Sequence, residues 1–402
     1  MRVLTLVRDA ELYAPESRGR QDILLAGGRV VAIAPQLPAP PAAYTADIVD
    51  AGGRRVIPGL VDGHVHVGGG GGESGFASRV PAITFGALVG AGITSVVGLL
   101  GTDTTTRTIE DLVARTLGLR AEGLSAWCYT GGYQTPPRTL TGRVRDDIVF
   151  CDPIIGVGEL ALSDHRSGQP TLDELLRIAS DCHVAGLTTG KAGHVHLHLG
   201  DGARGLDLVR RALAQAELPA RVFHPTHVNR NGRLFDEALA LAVSHGVPID
   251  VTAFPPGDDG DDGVPAPIAI ARALATPGFP IARLTCSSDG AGCLPTFDAN
   301  GVLTHMDVGR PATLLAALVD TAATLGLAAA LPVFTANVAD QLRLPRKGRL
   351  AVEADADLVI LDAQGGAHDV MVGGRWLVRN GVQVVHGMFE RPAPRASARG
   401  SR

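Results

Sequence analysis

The chain has 402 residues, 45% hydrophobic and 19% charged, with a net charge of −5, so it reads as an ordinary globular protein with room for one large domain and a smaller one. No basic stripe points to nucleic acid, no apolar run reaches membrane-spanning length, and no signal-peptide core opens the chain, so nucleic-acid and membrane roles are excluded and a cytoplasmic location is expected. The five cysteines (Cys128, Cys151, Cys182, Cys286, Cys293) form neither a disulfide framework nor a CxxC pair, which fits a reducing compartment.

Residues 1–55 read as short strands and turns: Arg2 to Val7, Asp22 to Ala26, Arg29 to Ala34 and Asp47 to Asp50. The stretch from Val56 to His66 follows, an apolar strand ending in His64-Val65-His66. Residues i and i+2 of a strand share a face, so the two imidazoles project together at a spacing that suits one metal ion. Five glycines, Gly68 to Gly72, and then Glu73 come next, a run that can bring backbone close to a ligand.

Seven further strands are expected: Ile93–Gly101, Ser125–Tyr133, Ile154–Leu160, His194–Leu199, Arg221–His227, Pro248–Phe254 and Ala282–Gly290. Helical patterns separate most of them, at Thr171–Ala185, Leu206–Ala216 and Leu234–Ser244, whereas Gln134 to Pro153 reads as loop. Beyond the last strand, Asp357–Asp362 reads as a strand and Val370–Val378 as a hairpin over Gly373-Gly374. The expected fold is α/β: a (β/α)8 TIM-type barrel with a small β-sandwich domain built from both termini. The expected boundaries are 1–55 and 349–390 for the small domain, 56–348 for the barrel and 391–402 for a mobile tail. A doubly wound open sheet is the alternative, but no GxGxxG follows the first strand.

In such a barrel the active site lies at the C-terminal strand ends. Reading those ends in order gives His64 and His66, Glu159, His198, His227 and Asp289. Four imidazoles and two carboxylates suffice for two divalent ions with one bridging carboxylate, and nitrogen and oxygen ligands favour zinc. A metal pair activates water and polarises a carbonyl, and Asp289 is placed to move the water's proton to a leaving amine. His194 and His196 lie deeper on their strand, and His224 earlier on its own, so these read as satisfied core histidines or as partners behind the ligands, not as ligands. Asp258 to Asp262 fails the EF-hand spacing and reads as a solvated loop.

These residues resemble the amidohydrolase superfamily, and within it the isoaspartyl (β-aspartyl) dipeptidases. The resemblance runs from about residue 50 to 350. It rests on the Gly-His-Val-His stretch with Glu73 and on Ser95–Asp103, Ser163-Asp164-His165-Arg166-Ser167, Pro225-Thr226-His227-Val228-Asn229-Arg230-Asn231 and Ser287–Gly290. It implies hydrolysis of the β-aspartyl amide bond of dipeptides, releasing L-aspartate and an amino acid, in a large homo-oligomer (an octamer). It also implies roles: Tyr133 on the oxyanion, Glu73 on the substrate's α-amine, Arg166 and Arg230 on its carboxylates, and Gly71 and Thr102 completing the pocket. Two positions depart from the pattern. Glu159 stands where the family has a carbamylated lysine, leaving open a shared carboxylate bridge or a site with one tightly held metal. Cys293 stands where a serine is expected, and a thiol is the poorer hydrogen-bond partner. The rivals are a cyclic-amide hydrolase of the dihydroorotase or hydantoinase type, which needs no amine-binding carboxylate, and a non-catalytic assembly protein, which needs no ligands.

Overall fold

The computed structural model of the chain describes residues 4–255, 262–298 and 302–390. Most of the acidic loop at 258–262 and the tail from Arg391 lie outside the described residues.

Strands β1 (Leu4–Tyr13), β2 (Ser17–Ala26), β3 (Arg29–Ala34), β4 (Ala46–Asp50) and β5 (Arg55–Pro58) open the chain. The stretch read as one strand from Val56 to His66 is two. β5 pairs with β1, and β6 (Leu60–Val65) pairs with β7 (Ile93–Gly98). Gly59 is the break: a Cβ there would sit 2.1 Å from Thr94 Oγ1, so only glycine lets the backbone turn against β7.

β8 (Ser125–Thr130), β9 (Ile154–Leu162), β10 (Val195–Leu199) and β11 (Phe223–Thr226) extend the sheet in parallel, in the order β11-β10-β9-β8-β7-β6. β12 (Ile249–Thr252) and β13 (Leu284–Ser287) form a second parallel pair. Every residue of β6 to β13 except Ser125 and Trp127 is buried, which is why these strands read as near-continuous apolar runs. The six-stranded sheet is curled, and both its edges meet the pair. Val228 donates from its backbone to Asp250 O at 3.3 Å, and His66 does so to Gly290 O at 2.9 Å.

The crossovers α1 (Phe85–Gly90), α2 (Ile109–Glu122), α3 (Val144–Phe150), α4 (Leu172–Thr189), α5 (Asp207–Gln215), α6 (Gly232–His245), α7 (Ala266–Ala275) and α8 (Ala312–Leu325) pack outside the parallel strands over one continuous apolar core. Their ends follow local chemistry. Thr171 and Glu174 form a reciprocal capping box on α4, and Asn231 caps α6 by accepting from Leu234 N. After β13 comes an antiparallel hairpin that the sequence reading did not assign, β14 (Cys293–Phe297) and β15 (Leu303–Val308).

β16 (Leu358–Leu361), β17 (Ala367–Val372), β18 (Arg375–Arg379) and β19 (Val382–Gln383) return to the N-terminal strands, and β16 pairs with β5. The expected small sandwich is therefore one hydrogen-bonded, nine-stranded sheet drawn from both ends of the chain, with its own core of Leu12, Ile23, Leu25, Val56, Ile360 and Met371.

The link between β8 and β9, read as loop, contains α3 after an irregular stretch. The buried Asp147 carboxylate ties that stretch down, accepting from Thr130 Oγ1 (2.5 Å), Leu140 N (2.8 Å), Thr141 N (2.7 Å) and Thr141 Oγ1 (2.6 Å). Asp147→Ala strands these donors, so it is expected to lower stability by about 3 kcal/mol. The urea midpoint measures this, and an unchanged midpoint means the loop is anchored elsewhere.

Candidate metal centre and pocket

All six strand-end residues converge. His64 and His66 leave the end of β6, and Glu159 points inward from β9. His198 closes β10, and His227 and Asp289 follow β11 and β13 in left-handed backbone (φ 59° and 51°). All six are buried. Glu159 Oε1 lies 3.3 Å from His66 Nε2, while Oε2 lies 3.1 Å from His198 Nδ1, 3.4 Å from His227 Nε2 and 3.6 Å from His64 Nε2. Asp289 Oδ1 lies 3.3 Å from His64 Nε2 and 3.2 Å from His66 Nε2. Close as they are, His64 Nε2 and Asp289 Oδ1 are both buried without a hydrogen-bond partner among the described residues.

Imidazole nitrogens and carboxylate oxygens aimed at one buried point, two of them left without a hydrogen bond, are what a ligand set for a cation looks like. Three overlapping triads have ligand atoms close enough for an ion: His64/His66/Glu159, Glu159/His198/His227 and His64/His227/Asp289. The electrostatics agree. Burial pushes His66 down, but the Asp289 and Glu159 carboxylates overcome it and lift the imidazole to about 10. Burial likewise opposes ionisation of Asp289, yet His64 and His66 hold its carboxyl far below the usual range. The cluster favours positive charge at its centre. Neither lysine reaches it. Lys191 Nζ donates to the carbonyls of Ile148, Cys151 and Ile154, and Lys347 pairs with Asp355 and Asp357.

A pocket opens on the cluster, and Gly71, Glu73, Thr102, Tyr133, Arg166, Arg230 and Cys293 all line it. Tyr133 Oη lies 2.8 Å from His198 Nδ1, and burial raises its pKa well above the ordinary phenol value, so it stays a hydrogen-bond donor. Thr102 Oγ1 donates to Glu73 Oε1 at 2.8 Å, and Arg166 Nη1 lies 3.5 Å from the same oxygen. Glu73 Oε2 is buried and has no hydrogen-bond partner among the described residues; the same holds for Arg230 Nε. Arg230 Nη1 lies 3.6 Å from Asp201. Burial and the nearby Glu73 carboxylate push the Cys293 thiol up to about 12, so it remains a neutral thiol.

Gly71 shows why the glycine run is there. Its φ is +79°, and a Cβ would meet Ser78 O at 2.4 Å. Arg107, which the sequence reading missed, holds this loop. It is buried and donates to the carbonyls of Gly68, Gly70 (3.0 Å) and Val80 (2.9 Å). Asp164 was missed too. It grips Arg166 through two bonds (Oδ1 to Nε at 3.0 Å, Oδ2 to Nη2 at 2.7 Å) and lies 2.9 Å from His198 Nε2. It sits two residues before Arg166, a spacing that could have prompted the pairing. Asn229 has a scaffolding part: it bonds Thr252 N, Thr252 O and Val264 O, fixing the turn between His227 and Arg230.

The amidohydrolase family model matches residues 55–377. The structure is similar to a beta-aspartyl dipeptidase from Fervidobacterium islandicum solved in complex with a beta-Asp-Leu dipeptide (TM-score 0.90, 37% identity, 95% of this chain and 98% of that one). It shares its fold with dihydropyrimidinase from Brevibacillus agri (TM-score 0.66, 16% identity, 96% and 97%). Among curated sequences, an adenine deaminase from Deinococcus radiodurans is 38% identical over 94 residues, 23% of this chain, and the match spans only 16% of that protein. With a family model covering most of its length and a near full-length relative at more than a third identity, the chain belongs to the amidohydrolase family, alongside the β-aspartyl dipeptidases.

Proposed function

We propose that this protein is a binuclear metallohydrolase that cleaves the β-aspartyl amide bond of dipeptides, releasing L-aspartate and an amino acid. The observation that carries the reading is the Glu73 carboxylate, with one oxygen buried and unpartnered, in the same pocket as Arg166, Arg230 and the six-residue cluster. An isoaspartyl dipeptide has a free α-amine and two carboxylates, and among the pocket's charged groups Glu73 suits the amine and Arg166 and Arg230 the carboxylates.

In this reading the two sheets form one (β/α)8 barrel, closed through the Val228–Asp250 and His66–Gly290 contacts, and the small sheet domain flanks it, with the division near Gly59 and again after residue 348. His64, His66, Glu159 and Asp289 would hold one ion, and Glu159, His198 and His227 the other; the triads His64/His66/Glu159 and Glu159/His198/His227 each have ligand atoms close enough for one. The donor set favours zinc. Bound ions would lower the pKa of a water and polarise the scissile carbonyl. The chain's residues do the rest. Glu73 orients the amine, Arg166 and Arg230 hold carboxylates, Tyr133 donates to the developing oxyanion, and Asp289 takes a proton and delivers it to the leaving amine. The reading includes a homo-oligomer in the cytoplasm; among the described residues no helix is long and apolar enough to cross a membrane, and the five cysteines are free.

A turnover panel tests this: β-Asp-X and α-Asp-X dipeptides, hydantoin and dihydroorotate, each with zinc and with a chelator. Turnover of β-Asp-X alone, lost with chelator and restored by zinc, is expected; turnover of the ring amides alone overturns the reading. Glu73→Gln keeps the shape and removes the charge that faces the amine. A charge-assisted hydrogen bond is worth about 1.5–3 kcal/mol, so kcat/KM for β-Asp-Leu should fall roughly 10- to 100-fold. Turnover of the N-acetylated dipeptide, which has no charged amine, should not change, and an equal loss on both would show that Glu73 does not meet the amine.

A further inference from the structure

Beneath the ligand cluster the interior of the curled sheet holds three more buried imidazoles that the proposed reaction leaves unused: His194 just before β10, His196 from β10 and His224 from β11. The strand register sets His196 opposite His224. His64 Nδ1 lies 2.9 Å from His196 Nε2, and His196 Nδ1 lies 3.1 Å from His224 Nδ1. His224 Nε2 lies 3.2 Å from Thr285 Oγ1, which donates to Asp250 Oδ1 at 2.6 Å. Asp250 Oδ2 accepts from Thr226 Oγ1 (2.7 Å) and Ser287 Oγ (2.6 Å). The Tyr129 ring stacks on His196 with centroids 5.2 Å apart and planes at 21°.

This column has only one direction compatible with a cation above it. A neutral imidazole has one donor and one acceptor nitrogen. A His64 that gives its Nε2 lone pair to a metal carries its proton on Nδ1, so His196 must accept at Nε2. His196 then donates from Nδ1, His224 accepts at Nδ1 and donates from Nε2, Thr285 accepts, and the Thr285 hydroxyl donates to the Asp250 carboxylate. The opposite direction would put a proton on His64 Nε2, aimed at Glu159 and Asp289. We propose that Asp250, Thr285, His224 and His196 form a hydrogen-bonded column that fixes His64 as the Nδ1–H tautomer and so prepares its metal-facing nitrogen. These are positioning residues, and the inference rests on the reading of His64 as a metal ligand. Outer partners of ligand histidines usually lie one bond away; here the carboxylate acts across three intervening groups.

His194, His196 and His224 also lie close enough together to ligate an ion of their own. The column accounts better for the distances, because both nitrogens of His196 and of His224 already face a partner, and His194 Nε2 lies 3.0 Å from Tyr129 Oη.

The test uses the full-length protein with zinc as the probe. Thr285→Val keeps the shape and cuts the column; Thr285→Ser keeps the hydroxyl. Chelator competition should show zinc affinity about 10-fold weaker in the valine variant, within the 10- to 100-fold range for outer-partner losses, and near wild type in the serine variant. Nitrogen-15 histidine spectra of the zinc-loaded wild type should show His64 and His196 protonated at Nδ1 and His224 at Nε2. Unchanged affinity in Thr285→Val, even with a lower melting temperature, overturns the proposal. So does a proton on His196 Nε2, or a third zinc that His224→Phe removes. A wild type that binds no zinc overturns the metallohydrolase reading and the column with it; the other outcomes overturn the column alone.

Discussion

Asp289→Asn should reduce turnover of β-Asp-Leu by about 10³-fold or more while the protein stays folded and keeps its metal. General acid–base groups contribute roughly 10²- to 10⁴-fold, and Asp289 is asked to act twice, on the water's proton and on the leaving amine. Its position is held tightly. It sits in left-handed backbone after β13, its neighbour Gly290 accepts from His66 N, and Gly292 and Gly309 crowd it so closely that a Cβ at either would collide, at 2.0 Å from Oδ1 and 1.9 Å from its carbonyl oxygen. Asparagine keeps the shape and one ligand oxygen but cannot take the proton. The loss should therefore fall on kcat, with KM little changed. Steady-state kinetics beside metal analysis makes the check. A metal-loaded variant with more than a tenth of wild-type kcat removes Asp289 from the proton-transfer role.

The site was legible where the fold makes chemistry periodic. Parallel strands buried on both faces read as apolar runs, so a polar residue at the end of each run stands out. That is how His64, Glu159, His198, His227 and Asp289 were found on five different strands. What escaped depends on contacts between distant segments. Asp164 is a surface-type residue until Arg166 and His198 are seen on either side of it. Arg107 acts on carbonyls some 27 to 39 residues away. The split at Gly59 is imposed by Thr94 on a neighbouring strand. His196 and His224 read as buried residues that are not ligands, and their column exists only because the register pairs them. In the hairpin β14–β15, β14 has Pro295 at its centre and neither strand has the alternation that marks a strand, so the sequence reads there as loop.

Protein prepared without bicarbonate should bind two divalent ions per chain, and Glu159→Gln should bind one or none. Glu159 occupies the position of a carbamylated lysine in the family that the chain resembles, and its arm is several bonds shorter. The geometry shows how it can still serve both halves of the cluster. Its two oxygens face different partners, Oε1 toward His66 at 3.3 Å and Oε2 toward His198, His227 and His64 at 3.1, 3.4 and 3.6 Å. Gly101 makes the space: a Cβ there would lie 2.8 Å from His66 Cε1 and 3.3 Å from Glu159 Oε1. Burial opposes the charge on Glu159, yet His64, His198, His227 and His66 hold its carboxyl well below the ordinary value, so it is an anion with acceptor sites on both oxygens. A carboxylate bridge carries the same single negative charge as a carbamate and needs no carbon dioxide to form. Activity should therefore be indifferent to added bicarbonate. Glu159→Gln keeps the volume and one acceptor oxygen but turns the other into an amide donor and removes the charge shared by two cations, and kcat/KM should fall by at least 10²-fold as the second ion is lost. Metal content by elemental analysis, read beside activity with and without bicarbonate, decides the point. One ion per chain in the wild type at full activity would falsify the bridge and make Glu159 a ligand to a single metal.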